Sequence, residues 1–250
     1  TNEASPRNFP GLIDEVRIYN RALSASEISA LYRSGAVKFQ APNNKGLVGY
    51  WSFNEGTSTY AMDYSGNGNK GTLTGMALNP STPSSGWNPG KLGKALSFDG
   101  SNDYVDFGDN ENLEGFAAGS FSAWIKLSKV TQDGAIISNR SVGTIGNYMV
   151  FFDDAGDSGN DRLSFFIGKD AITPDRIEST FPAVAGKWYH VVGTTDGSSN
   201  FLGIYIDGVL NNSKTTSINI ANATSSASKM IGSTNEASPR NFPGLIDEVR

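Results

Sequence analysis

Residues 186–210, GKWYHVVGTTDGSSNFLGIYIDGVL, decide the fold class. Residues 188–194 and 202–206 are two runs rich in aromatic and β-branched side chains, the composition of half-buried strands. Asp207-Gly208 stands between Ile206 and Val209, and such a dipeptide closes a two-residue hairpin because both turn positions need a positive φ. Outward from this hairpin the same pattern recurs. Strands are predicted over 47–53, 95–98, 104–107, 121–127, 135–138, 148–152, 163–167, 229–232 and 245–250, with a Gly- and Asn-rich loop over 54–70. Roughly twelve short strands separated by Gly-bearing turns predict an all-β, two-sheet antiparallel sandwich.

Composition agrees and narrows the function classes. The 250 residues include 29 glycines, and charged residues make up 18%, which suits tight turns and short strands better than helical bundles. The net charge of −5 comes with no cluster of Lys and Arg, so a nucleic-acid partner is not expected. Cysteine is absent, which excludes disulfides, Cys-based zinc sites and thiol catalysis. No run of about 18 apolar residues occurs, so membrane insertion is not expected.

One segment is written twice. Residues 1–17 and 234–250 both read TNEASPRNFPGLIDEVR, at an offset of 233 positions, a plausible period for a domain repeated head to tail. The first copy runs on as a strand to Tyr19 and into a predicted short helix over 24–34. There Ser24 and Glu27 form a capping box, Ile28, Leu31 and Tyr32 share a stripe, and Gly35 closes the helix. Residues 1–36 are expected to be the closing strand and helix of a preceding repeat, and 37–45 a linker. An apolar strand without a sheet of its own invites pairing, so Leu12, Ile13, Val16, Ile18 and Tyr19, with Ile28 and Leu31 of the helix, are the expected contacts between repeats.

The segments GLVGYWSFNEG (46–56), DYSGNGNKGTLTG (63–75), GKALSFDGSNDYVDFG (93–108), FSAWIKL (121–127), GKWYHVVGTTDG (186–197), IYIDGVL (204–210) and GLIDEVRIYNRALSASEISALY (11–32) together resemble the concanavalin A-like lectin/glucanase superfamily. The likeness is specifically to the laminin-G-like domains of bacterial and archaeal surface proteins. The resemblance implies a concanavalin A-like jelly roll over 46–250 that lacks its own closing helix. It also implies an extracellular or cell-surface location. The expected role is a non-catalytic structural or adhesive module of a tandem-repeat surface or fibre-forming protein, with neighbouring copies, a glycan or a surface protein as partner. The alternative is a carbohydrate-binding module of a secreted glycoside hydrolase.

Members that hydrolyse β-glucans carry an E-x-D-x-x-E strand, which this sequence lacks, so no catalytic residues are expected. Asp14-Glu15 and Asp247-Glu248 are sequence neighbours and so point to opposite strand faces, unlike an acid–base pair. The single histidine, His190, cannot build a His-based metal cluster alone. Asp247 shares an expected strand face with Leu245 and Val249, where a carboxylate needs partners. If the first and last strands are close, as the resemblance implies, Asp63, Asn67 and Asn69 meet Asp247 in a structural calcium site. The rival reading gives Asp63 and Asn67 to turn hydrogen bonds. The acidic run 153–161 reads as a solvated hairpin loop, and Asp99, Asp103, Asp106 and Asp109 as turn residues. Trp87, Tyr60, Tyr64 and Tyr104, in or beside loops, are candidate platforms for a sugar, set against ordinary core burial.

Overall fold

The computed structural model describes residues 46–78, 86–116, 118–139, 147–153, 161–168, 174–196, 199–216, 228–235 and 239–250. The chain divides into two compact units, Thr1–Gly46 and Leu47–Arg250. The helix expected over 24–34, the linker, the contact residues Leu12, Ile13, Val16, Ile18, Tyr19, Ile28 and Leu31, and the acidic loop 154–160 lie outside the described residues.

The second unit is all β. Its strands are β1 (Tyr60–Ala61), β2 (Gly71–Thr74), β3 (Gly86–Pro89), β4 (Lys94–Asp99), β5 (Tyr104–Asp106), β6 (Ala118–Leu127) and β7 (Gly134–Ser138). They continue as β8 (Asn147–Asp153), β9 (Arg162–Gly168), β10 (Pro174–Glu178), β11 (Trp188–Asp196), β12 (Phe201–Ile206), β13 (Val209–Thr215), β14 (Met230–Ile231) and β15 (Pro243–Asp247). Eight form one sheet in the order β1-β2-β5-β14-β7-β8-β9-β10, and seven form the other in the order β13-β12-β11-β6-β15-β4-β3. Every strand pair among the described residues is antiparallel, and the two sheets form the expected sandwich.

Alternation builds the core. In β6 the side chains of Phe121, Ala123, Ile125 and Leu127 are buried, while Ser122, Trp124 and Lys126 face outward and stay half-buried. In β11 Tyr189 and Val191 point inward, and Trp188, His190 and Val192 outward. From the opposite sheet Phe165 fills the space between layers, its ring 5.9 Å from that of Phe121. Gly193 faces the same ring so closely that a Cβ there would lie 2.5 Å from it, which is why a glycine sits inside a strand.

The strands missed from sequence include three of the four sheet edges, β1 and β10 in one sheet and β3 in the other, while the fourth edge, β13, is the second arm of the expected hairpin. An edge strand is half-solvated, so β13 (VLNNSKT) has no apolar alternation and β3 (GWNP) and β10 (PDRIE) carry proline. Conversely, the strand expected over 47–53 is one bridge, Trp51 to Val249. Phe53 adopts φ 52° there, and Trp51 and Phe53 drop fully into the core. The Trp51 indole donates to the Asn69 carbonyl at 2.8 Å, and its ring lies 4.6 Å from that of Phe107.

A buried cation lies at one end of the eight-stranded sheet. Lys229 is 1% exposed, and its Nζ is held by Asp109 at 2.7 Å and Glu114 at 3.0 Å. Asp109 is therefore an ion-pair partner. The Asp99 carboxylate accepts the Ser101 and Asn102 amides, and that of Asp106 the Gly108 amide, as turn residues do.

Phe165→Ala removes the central ring and is expected to cost about 3–5 kcal/mol in urea unfolding. Gly193→Ala alone overpacks the interlayer space and costs about 1–3 kcal/mol. In the Phe165→Ala background the added methyl enters the vacated space, so the two costs are markedly less than additive.

Candidate functional site

The outward face of the seven-stranded sheet carries the candidate site. The register pairs His190 with Trp124 across β11 and β6, and Trp124 with Asp247 across β6 and β15. The three residues therefore form one row across three strands. The Trp124 and His190 rings lie 5.2 Å apart at 45°. Next to His190 comes the hairpin turn. Asp207 and Gly208 take φ 51° and 81°, the Asp207 carboxylate accepts the His190 amide at 2.9 Å, and its own amide donates back to the His190 carbonyl at 2.8 Å. On the other side the loop between β3 and β4 brings the Lys91 Nζ to 4.6 Å from the Trp124 ring centre, a cation–π contact. Lys91, Trp124, Trp188, His190, Asp207 and Gly208 line an open depression of about 440 Å³.

Asp247 positions one wall of that depression. Its Oδ2 accepts the amides of Lys91 at 2.8 Å and Leu92 at 2.9 Å, so the carboxylate clamps the loop that holds Lys91 over Trp124. Gly90 permits the close approach, since a Cβ there would lie 2.5 Å from the Lys94 carbonyl and 2.7 Å from the Asp247 carboxylate. The carboxylate is fully buried and its Oδ1 has no hydrogen-bond partner. Burial lifts its pKa from 3.8 to about 6, against the pull of the Leu92 and Lys91 amides and with a push from Glu248.

The face expected for Asp247 needs correction. Leu245 and Asp247 share the outward face, but Val249 does not join them. Glu248 adopts φ 51°, which reverses the alternation and returns Val249 to the core beside Trp51. Glu248 accepts the Tyr50 hydroxyl at 2.8 Å and the Arg250 guanidinium at 2.9 Å, while Arg250 lies 4.1 Å over the Tyr50 ring. Burial, with the Glu248 bond, pushes Tyr50 up to about 12. His190 is held below its ordinary value by burial and then by the Arg250 charge, with Asp207 opposing, so its imidazole is neutral at neutral pH.

The structure brings Asp63, Asn67 and Asn69 into one turn and ties Asp247 elsewhere. Both Asp63 oxygens are occupied: Oδ1 accepts the Tyr50 and Ser65 amides, Oδ2 the Ser65 hydroxyl and Asn69 amide, all within 3.0 Å. Burial would raise Asp63, but these bonds outweigh it and hold its pKa below the usual value. Asn67 and Asn69 turn their amide nitrogens to the Val48 carbonyl, and the Asn69 Oδ1 accepts from Asn110 and Asn112. These are the hydrogen bonds of a turn, the arrangement set against the calcium reading. Among the described residues no group of three or more His, Cys, Asp or Glu is placed to hold a metal ion.

The aromatics singled out from sequence sit elsewhere. Trp87 packs against the core and donates its indole N–H to the Ser58 carbonyl at 3.0 Å. Tyr60 lies under the Lys70 ammonium at 3.9 Å, Tyr64 against Tyr50 at 6.2 Å, and Tyr104 is half-buried in β5. Trp124, Trp188 and Lys91 were missed. The signal for both tryptophans was present: in FSAWIKL and WYHVV each falls on the face opposite the apolar residues.

Comparison with known proteins bears on the fold. A family model described as the concanavalin A-like lectin/glucanases superfamily matches residues 99–250. No curated protein matches the sequence. Among solved structures, domain 4 of AbnA, a GH43 extracellular arabinanase from Geobacillus stearothermophilus, in complex with arabinotriose, is 23% identical at a TM-score of 0.55, covering 81% of this chain and 90% of that one. The binding domain of botulinum neurotoxin DC in complex with rat synaptotagmin II is 18% identical at a TM-score of 0.58, covering 82% and 48%. A botulinum neurotoxin type C structure, whose cell entry depends on two ganglioside molecules, is 16% identical at a TM-score of 0.57, covering 80% and 46%. The chain thus spans about half the length of these two toxin structures.

The raised pKa of Asp247 sets a pH dependence. Folded protein holds this proton more tightly than the unfolded chain, so stability falls as pH rises from near 3.8 through about 6. Asp247→Asn is expected to remove that slope, on the order of 2–3 kcal/mol in full, read from urea midpoints of parent and variant across the range. Asp63 acts below this window, because its pKa is lowered.

Proposed function

The chain belongs to the concanavalin A-like lectin/glucanase superfamily, and on that premise we propose that residues 47–250 form a non-catalytic carbohydrate-binding module whose ligand rests on Trp124 and Trp188. The carrying observation is the depression on the seven-stranded sheet, where these two half-buried indoles sit among Lys91, His190 and Asp207. A sugar ring presents C–H groups on its faces, which pack on an indole, and hydroxyls at its rim, which bond charged and imidazole groups. The likeness to an arabinanase domain in complex with arabinotriose and to a ganglioside-dependent toxin supports this ligand class.

A hydrolytic role has little geometric support. The carboxyl group with the raised pKa, Asp247, is 0% exposed and engaged with two loop amides, so it does not reach a glycosidic oxygen. The identical segments 1–17 and 234–250 favour one addition: the module is a unit of a tandem array on an extracellular surface, with neighbouring copies as its structural partners.

Titration with arabinotriose and with the hits of a glycan array tests the site. Trp124→Ala and Trp188→Ala are each expected to weaken binding at least tenfold, about 1.4 kcal/mol, with the β-sheet circular dichroism unchanged. Parental affinity in the Trp124→Ala variant defeats the proposal.

A further inference from the structure

Among the described residues Lys229 is the one buried lysine, although the flexible stem of a lysine ordinarily carries its charge out to water. Its backbone is held on both sides: the Lys229 amide donates to the Gly108 carbonyl at 3.0 Å, and its carbonyl accepts the Phe107 amide at 3.0 Å. At Gly108, φ 63°, the chain turns and brings the Asp109 carboxylate to the lysine, with Oδ1 2.7 Å from Nζ. Glu114 reaches the same nitrogen from beyond the helical turn Glu111–Leu113, with Oε2 3.0 Å away. Asp109 and Lys229 are 120 positions apart in the sequence, and the pairing of β5 with β14 sets their meeting.

The surroundings favour neutral groups. The Glu114 side chain is 8% exposed, and next to it Leu113 is buried and accepts the hydroxyl of buried Tyr148 at 2.8 Å. Burial, and then the Glu114 charge, push that hydroxyl above its ordinary value, so carboxylate and phenol share one apolar wall. One ammonium between two carboxylates leaves an excess negative charge here, and keeping such ions out of water is costly. An amide between Nζ and the Asp109 side chain removes one charge of each sign and leaves a single N–H to donate to Glu114. The Asp109 side chain is 52% exposed, which gives a released water a way out.

We propose that Lys229 and Asp109 condense into an intramolecular isopeptide bond, with Glu114 as the proton carrier. The fold holds nitrogen and carboxyl in contact, so the step has the advantage of an intramolecular reaction. Glu114 relays two protons from the Lys229 nitrogen to one Asp109 oxygen, one before and one after Nζ attacks Cγ. The Nζ–Cγ bond forms, the Cγ–O bond breaks and one water leaves. The positive charge of the ammonium and the negative charge of the carboxylate cancel, Glu114 ends as it began, and no oxidant or cofactor enters. The product ties the end of β5 to the start of β14, closing a long loop that the unfolded chain would otherwise leave free. This rests on three side chains and is independent of any ligand.

The test is the intact mass of the full chain, purified and then denatured. The parent is expected to weigh one water less than its sequence. Its tryptic digest is expected to hold a branched peptide in which Lys229 is joined to Asp109 and the chain is uncut after Lys229. Asp109→Asn is expected to lose ammonia instead and to reach the same final mass as the parent, because the amide formed is the same. Asp109→Ala and Glu114→Ala are expected to keep their full sequence masses. A parent chain at its full sequence mass overturns the proposal. So does a water loss confined to one unbranched peptide, the mark of a cyclic imide at Asp207-Gly208. A Glu114→Ala chain that cross-links as completely as the parent overturns it as well.

Discussion

The seven-stranded sheet is continuous because a strand from the far end of the sequence, Pro243–Asp247, is hydrogen-bonded on one side to β4 and on the other to β6. Without it, strands β3 and β4 have no connection to β6, β11, β12 and β13. The same strand sends Ile246 into the interlayer core and Asp247 to the opposite face. Beyond it, the reversal at Glu248 returns Val249 to Trp51 and fixes the start of the sandwich against its end. Core packing, sheet continuity and the geometry of the outer face thus share one short segment.

The outer face inherits its rigidity from this arrangement. Trp124, Trp188 and His190 stand on two neighbouring long strands, whose inward residues lock their backbone positions. Lys91 comes from a loop, and a loop alone would place an ammonium loosely. The buried Asp247 carboxylate removes that freedom by holding two consecutive loop amides. The cost appears as an oxygen sealed in without a partner and a carboxyl group shifted towards its neutral form. The buried carboxylate thereby fixes the position of the loop beside the Trp124 ring.

Sequence patterns carried information where burial is two-sided or strictly alternating. FSAWIKL and WYHVVGTT are legible because one face of each is core, and Asp207-Gly208 because the turn dictates its residues. Edge strands such as GWNP and PDRIE were not, since solvent on one side relaxes the demand for apolar residues. The candidate site was half legible. Alternation marks Trp124 and Trp188 as outward, but nothing local says that Lys91, more than thirty positions away, arrives above the indole. The long-range pairing of β15 with β4 and β6 sets that meeting. The stretch 47–53 misled for a related reason: Trp51 and Phe53 alternate as in a strand, yet their burial comes from a wedge held by one bridge.

The placement of the closing strand also orders events during synthesis. Both walls of its slot are complete once Leu127 has left the ribosome, while Pro243 follows 116 positions later. At translation rates of about 5–20 residues per second, the groove stands open for roughly 6–23 s.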